Sequence, residues 1–144
     1  MDLADGRRPV KCEIVREGYL PPFEPGPRVA GVTALGPADL MATKLLANAD
    51  RGLDRALRFR DFFDLVMAAS EWPQQAPLAM GKAVGAYRES AKSAVEKVAD
   101  LLRDRADLRE EAYGRLAMTD EARAVIDRAL LSSSPGTMTR IFGC

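Results

Sequence analysis

Hydrophobic side chains recur at steps of three and four residues along most of the chain after Pro37. This period places apolar positions on one face of an α-helix, so the segment is predicted to be helical. Proline and glycine interrupt the pattern and divide it into about five helices. The predicted helices cover residues 38–50, 53–70, 78–103, 108–118 and 120–131.

Local signals support the ends of two of these helices. Gly36 and Pro37 precede the first helix, and proline suits a first helical turn. Thr119 offers a side-chain oxygen as the N-cap of the last helix. The third helix carries a long apolar stripe, which is typical of a helix packed in its own core and is also compatible with a partner-binding surface. The stripe consists of Met80, Val84, Tyr87, Ala91, Ala94, Val98 and Leu101.

The chain before Pro37 has a different character and is rich in proline and β-type residues. Residues 10–16 read as one strand and residues 28–35 as a second short strand, joined by a proline-rich connection at 18–27. Two short strands do not form an independently stable sheet, so we expect the chain to enter a sheet-containing domain midway. The predicted fold class is α+β and mostly α. Its predicted parts are a partial β segment (1–36), a helical domain (37–131) and a flexible tail (132–144).

The amino-acid composition excludes several kinds of catalytic and metal-binding site. The 144 residues contain 21 basic and 21 acidic side chains and no histidine. Catalysis by Ser-His-Asp or Cys-His groups and histidine-built metal sites are therefore excluded, and any metal would depend on carboxylates. Zero net charge removes the simplest case for binding nucleic acid or an anionic membrane. We see no signal peptide and no transmembrane run, and Cys12 and Cys144 have no metal spacing, so the prediction is a cytoplasmic protein with free thiols.

The most informative polar residues lie on the first two predicted helices. Lys44, Asn48 and Arg51 are spaced i, i+4 and i+7, so they share one helix face. Asp61 and Asp64 share a face of the second helix. A short turn near Gly52 should make the two helices antiparallel, which would line a polar groove with both cations and both carboxylates. Lysine and arginine suit phosphate oxygens.

Spacing alone leaves other interpretations open. Charged residues on a helix most often form its solvated face, and their exposed ion pairs contribute at most about 1 kcal/mol. The chain could be a non-catalytic helical interaction module. It could also bind nucleic acid through an arginine cluster, although nearby aspartates offset the charge and few aromatic residues are interleaved. That cluster consists of Arg51, Arg55, Arg58 and Arg60.

Two stretches carry a family resemblance. The sequence ALGPADLMATKLLA at residues 34–47, then Arg51, then RDFFDL at residues 60–65 resemble the AbiEii/AbiGii abortive-infection toxins. These proteins are polymerase-β-type nucleotidyltransferases of bacterial toxin–antitoxin systems. The similarity covers roughly residues 9–68, and the later helices are similar in class only. The predicted strands would then be a remnant of the nucleotidyltransferase sheet.

The resemblance implies a mechanism and a set of roles. Such enzymes transfer a nucleoside monophosphate from an NTP to an acceptor such as RNA, tRNA included, or protein, with Mg²⁺ held by acidic residues. Lys44, Asp61 and Glu13 are implied to be catalytic, with Glu13 as base or metal ligand. Lys44, Asn48, Arg51 and Asp64 are expected to bind the nucleotide. Implied partners are an NTP, an RNA acceptor and an antitoxin or a chain supplying the N-terminal half.

The sequence departs from the family in one respect. Family members carry a Gly-Ser followed by paired aspartates on a strand, and these 144 residues contain neither Gly-Ser nor Asp-x-Asp. The principal metal ligands are therefore missing from this sequence. We expect the chain to correspond to the C-terminal portion of such an enzyme, or to a natural truncation of one, and to be inactive alone.

Overall fold

A computed structural model of the chain describes Gly18 and residues 23–57, 59–132 and 138–142, apart from the side chains of Arg55 and Thr139. The predicted strand at 10–16, with Glu13 and Cys12, lies outside the described residues, as does Arg58. Among the described residues, a two-stranded sheet is followed by six α-helices. The prediction of a mostly α protein with short N-terminal strands is confirmed.

The short sheet is a hairpin, not the single strand predicted at residues 28–35. Strand β1 (Pro25–Val29) pairs antiparallel with β2 (Val32–Leu35), and Val29 lies opposite Val32. Ala30 and Gly31 both have positive φ, which a tight two-residue hairpin turn requires. Strand β1 begins at Pro25, within the connection predicted at residues 18–27. Proline is tolerated there because β1 pairs only with β2 among the described residues and is therefore an edge strand.

Helix α1 (Pro37–Arg51) agrees with its prediction, but the second predicted helix does not. A 3₁₀ turn (Arg55–Leu57) comes first, and α2 spans Arg60–Glu71. Phe59 interrupts the helix because its φ of 59° lies in the left-handed region. That conformation costs about 1–2 kcal/mol for a non-glycine residue. The Phe59 side chain is almost fully buried, and the burial of this ring offsets the cost of the strained backbone conformation.

The third predicted helix is two helices. Helix α3 (Ala76–Tyr87) and α4 (Glu89–Asp104) are separated by Arg88, whose φ is 53°. A single helix over residues 78–103 would be about 39 Å long, more than a small domain is wide. The break lets both α3 and α4 pack against α1. The apolar stripe is consequently a core feature, since Met80, Ala91 and Val98 are buried within the chain.

The remaining helices are α5 (Ala106–Arg115) and α6 (Asp120–Leu131). The Thr119 hydroxyl caps α6 as predicted, accepting a hydrogen bond from the Ala122 amide at 3.3 Å. The expectation of a loose C-terminal tail is wrong for Met138–Phe142. This segment is a 3₁₀ helix that contacts α3 and α4, and it is held by burial of its two ends, Met138 and Phe142.

Helix α1 lies at the centre of the bundle, against α2, α3 and α4. Its apolar face meets the phenylalanines of α2, and the Phe63 ring lies 5.4 Å from the Tyr113 ring of α5. This packing fixes the polar edges of α1 and α2 relative to each other. The buried apolar side chains of the two helices, with Phe59, are Met41, Ala42, Leu45, Leu46, Phe59, Phe62, Phe63, Leu65, Val66, Ala68 and Ala69.

Candidate functional site

The charged residues predicted on α1 and α2 meet in one cluster. The Lys44 Nζ atom lies 3.1 Å from Asp61 Oδ1 and 2.7 Å from Asp64 Oδ2. The Arg51 Nε atom donates to Asp61 Oδ2 at 2.8 Å. Because the earlier cation pairs with the later carboxylate, the two helices run antiparallel, as their short connection predicted.

Burial differs within this ion cluster, which we define as Lys44, Arg51, Asp61 and Asp64. The Asp61 side chain is only 8% exposed, while those of Lys44, Asp64 and Arg51 are 27%, 43% and 53% exposed. The buried carboxylate of Asp61 therefore binds both Lys44 and Arg51, while the more exposed carboxylate of Asp64 contacts only Lys44 within this cluster. Arg60 lies at the edge of the cluster, 3.9 Å from Asp64.

The pKa of Asp61 reflects two opposing effects. Burial alone would raise the pKa of this carboxyl, but the hydrogen bonds and positive charges of Arg51 and Lys44 outweigh it. The pKa therefore lies below its ordinary value of 3.8. Asp61 is an anion at neutral pH, and it holds the amine of Lys44 and the guanidinium of Arg51 in fixed positions.

This linkage gives a testable pH dependence. Since the pKa of Asp61 is lower in the folded than in the unfolded protein, its contribution to stability is present above about pH 4 and is lost as the pH falls through the folded value. We expect Asp61→Asn to lower the free energy of unfolding by about 1–3 kcal/mol at pH 7. The difference from the wild type should shrink between about pH 5 and pH 2. Urea unfolding across this range measures it, and a constant difference would contradict the role assigned to the ion cluster.

Two cavities adjoin the ion cluster. One, of about 440 Å³, is lined by Lys44 and Asp64 together with apolar side chains that include Met67 and the single tryptophan, Trp72. The other, of about 370 Å³, is lined by Arg51 and by residues of α4. Sequence reasoning missed the residues from α4, because nothing in the local pattern indicates that this helix lies beside the end of α1.

Asn48, predicted to share the face of Lys44 and Arg51, is not part of the ion cluster. It is 1% exposed, and among the described residues neither its Oδ1 nor its Nδ2 atom has a hydrogen-bond partner. A side chain at Gly52 would come within 2.5 Å of Asn48 Oδ1, so glycine permits the close approach of the turn to this amide.

A metal ion bound by this chain would depend on carboxylate ligands. Among the described residues, no group of three or more acidic or cysteine side chains could hold one. Both oxygens of Asp61 already accept hydrogen bonds from cations. Glu13, the predicted metal ligand, lies outside the described residues, so Mg²⁺ stays a prediction that depends on it.

A comparison with protein families identifies the chain. A family model described as nucleotidyl transferase AbiEii toxin, type IV TA system, matches residues 3–135. The chain belongs to the AbiEii nucleotidyl transferase toxin family. The match includes α1, α2 and the later α-helices. In the sequence analysis, the later helices were similar to the family only in being helical. No curated protein and no solved structure matches the chain.

Residues of the ion cluster lie in the part of the chain that resembles the family. The AbiEii family is a family of toxin–antitoxin nucleotidyltransferases. Lys44 and Asp61 lie in the two stretches that carried the resemblance, and Arg51 lies between them. No helix among the described residues is long and apolar enough to cross a membrane. The cytoplasmic location stays a prediction.

Proposed function

We propose that this AbiEii family member binds the triphosphate of an NTP at the ion cluster and takes part in transfer of its nucleoside monophosphate to an RNA or protein acceptor. The observation that supports this most directly is that one buried carboxylate, Asp61, holds an amine and a guanidinium side by side. Such a pair offers a point charge and a planar fork to phosphate oxygens. An antitoxin is the expected regulatory partner of this family.

The burial pattern indicates how a triphosphate would enter. Asp64 is the more exposed of the two carboxylates on Lys44, so a triphosphate oxygen would replace Asp64 there. Asp61 is nearly buried and would stay in place, because its two oxygens accept hydrogen bonds from Lys44 and Arg51. In this proposal Lys44 and Arg51 contact phosphate, and Asp61 acts on the reaction by positioning them.

The transfer step follows from nucleotidyl chemistry. An acceptor hydroxyl oxygen would attack the α-phosphorus of the NTP, forming a P–O bond to the acceptor. The bond between the α-phosphorus and the bridging oxygen would break, and pyrophosphate would leave with that electron pair. Glu13 is the proposed base that takes the hydroxyl proton. Arg60, with a side chain 70% exposed beside the ion cluster, is available to an RNA acceptor.

We further propose that these residues do not complete the transfer by themselves. The chain contains no Gly-Ser and no Asp-x-Asp. The described residues also provide no cluster that could hold the metal ions of a two-metal mechanism. The missing carboxylates would then come from a second polypeptide. The interaction-module alternative loses its main support, because the apolar stripe packs within the chain.

Binding tests the proposal before any transfer assay. We expect Lys44→Ala to weaken NTP binding by roughly 10- to 100-fold, because a charge-assisted hydrogen bond contributes about 1.5–3 kcal/mol. Isothermal titration calorimetry with each NTP in the presence of Mg²⁺ measures this. Trp72 fluorescence provides an independent signal with inorganic tripolyphosphate. Lys92→Ala is the control and should bind like the wild type, because Lys92 lies on α4 outside the ion cluster, with its amine 3.7 Å from Glu89.

Binding and transfer assays test two different parts of the proposal. Absence of NTP binding by the wild type, or equal binding by Lys44→Ala, would overturn the proposal. Transfer of radiolabelled NMP to RNA or protein should require addition of a polypeptide that carries the Gly-Ser and paired-aspartate motif. Strong transfer by the chain alone would disprove the need for a second polypeptide, while leaving the binding site intact.

A further inference from the structure

The cavity of about 440 Å³ continues the groove between α1 and α2 beyond the ion cluster. Leu40 lies one turn before Lys44 on α1, and Met67 lies nearly one turn after Asp64 on α2, so each pair shares a face of its helix. All four residues line the cavity, as does Trp72, the first residue after α2. Because α1 and α2 run antiparallel, the cavity extends from the ion cluster towards the start of α1 and the end of α2.

The groove changes from charged to apolar on passing Lys44. Arg51 lies about two turns after Lys44 on α1 and supplies a second cation. On the other side of Lys44, Trp72 and Met67 are 39% and 36% exposed, although both are large and apolar. Exposed apolar surface that is bordered by polar groups is typical of a ligand groove. A ligand lying along the groove would therefore meet cations at one end and an aromatic ring at the other.

The apolar end suits a nucleobase. Stacking on an aromatic side chain is favourable for every base, because every base presents a π-face. The indole ring of Trp72 offers a large aromatic surface for such stacking, and the polarizable thioether of Met67 packs well against aromatic rings. The cavity volume also lies within the range of small-ligand pockets, which is about 300–1,000 Å³.

Glu71 indicates which part of a nucleotide lies at this end. It lines the same cavity, seven residues after Asp64 and therefore on the same face of α2. Its carboxylate would repel a phosphate group, whereas carboxylates accept hydrogen bonds from ribose hydroxyls. Phosphate groups are consequently favoured beside Lys44 and Arg51, and a nucleoside is favoured beside Glu71 and Trp72.

We propose that this cavity holds the nucleoside part of the NTP, with the base stacked on Trp72 and the triphosphate directed past Lys44 towards Arg51. Glu71 accepts a hydrogen bond from the ribose. Because stacking depends on the π-face of the base and not on its edge, Trp72 raises the affinity for all four NTPs without selecting strongly among them. This inference rests on the proposed function and adds the residue that holds the base.

Comparison of NTPs with inorganic tripolyphosphate separates base binding from phosphate binding. We compare them by calorimetry in the presence of Mg²⁺ on the full chain carrying Trp72→Leu or Trp72→Phe. Trp72→Leu removes the aromatic face and should weaken binding of each NTP by roughly 5- to 100-fold, with tripolyphosphate affinity within about twofold of the wild type. Trp72→Phe keeps an aromatic face and should recover most of the NTP affinity. Leu131→Ala, an exposed change on α6 outside this cavity, is the control and should leave both affinities unchanged.

Fluorescence tests the wild type without any substitution. Trp72 is the single tryptophan of the chain, so a base stacked on it should protect the fluorescence from quenching by acrylamide. Bound tripolyphosphate should give no such protection, because it lacks a base. This measurement also decides the matter if Trp72→Leu fails to fold, as judged by circular dichroism.

Unchanged NTP binding in folded Trp72→Leu, with Lys44→Ala still impaired, would overturn the nucleoside assignment and leave the proposed function standing. Weaker binding of a short single-stranded RNA with unchanged NTP binding would also overturn it, and would assign the cavity to the acceptor. An equal loss of NTP affinity in Trp72→Phe would contradict stacking. If the wild type binds neither NTP nor tripolyphosphate, the proposed function and this inference both fail.

Discussion

Phe62→Ala should destabilise the protein by about 3–5 kcal/mol, because a fully buried phenylalanine leaves both lost apolar contacts and a cavity when it is truncated. Phe62 follows Asp61 directly on α2, and its ring packs edge to face with that of Phe63 at a centroid distance of 6.1 Å. The side chain therefore helps to hold the helix that carries both carboxylates of the ion cluster. Urea unfolding at pH 7 measures the effect.

A control lies on the same helix. Met67 is 36% exposed, so Met67→Ala should cost under about 1.5 kcal/mol. If the two truncations cost the same, α2 would not pack through its phenylalanine face as described. Any loss of NTP binding in Phe62→Ala should be recovered at a temperature where the variant is fully folded, because Phe62 lies outside the ion cluster.

Phe142→Ala should also lower the free energy of unfolding by about 3–5 kcal/mol, although only two residues follow Phe142 in the sequence. Phe142 is fully buried in a 3₁₀ segment that contacts α3 and α4. At the other end of that segment, the backbone amide of Met138 donates to Glu96 Oε2 at 3.0 Å. The segment is thus part of the core, contrary to the flexible tail expected from its composition.

Thermal and urea unfolding of Phe142→Ala, compared with Arg140→Ala, provide the measurement. Arg140 is exposed in the same segment, so its truncation should change the free energy of unfolding by no more than about 0.5 kcal/mol. Equal effects of the two changes would show that the segment does not pack on α3 and α4 in solution.

The first and last helices were predictable because their signals are local. Pro37 and Thr119 mark helix starts through backbone geometry and capping, which depend on a few neighbouring residues. The breaks at Phe59 and Arg88 were not predictable. In both places a non-glycine residue adopts a positive φ, and only packing against the rest of the bundle accounts for that conformation.

Part of the candidate site was predictable for a similar reason. The i, i+7 spacing of Lys44 and Arg51 and the i, i+3 spacing of Asp61 and Asp64 place each pair on one helix face. A short connection then makes the two helices neighbours. The cavity beside Arg51 was not predictable, because Ser93 and Lys97 are about 40 residues away along the chain and reach it only through the packing of α4 on α1.

The sequence by itself determined the helical class, the charged faces of α1 and α2, and the AbiEii resemblance, since these depend on periodicity and on residues close together in the chain. The tertiary structure alone decided which carboxylate is buried and that the C-terminal segment joins the core. It also decided that the Asn48 carboxamide has no hydrogen-bond partner among the residues that the structure describes. These properties depend on solvent exclusion and on contacts between distant segments. No local pattern encodes them, because burial is a property of the assembled bundle.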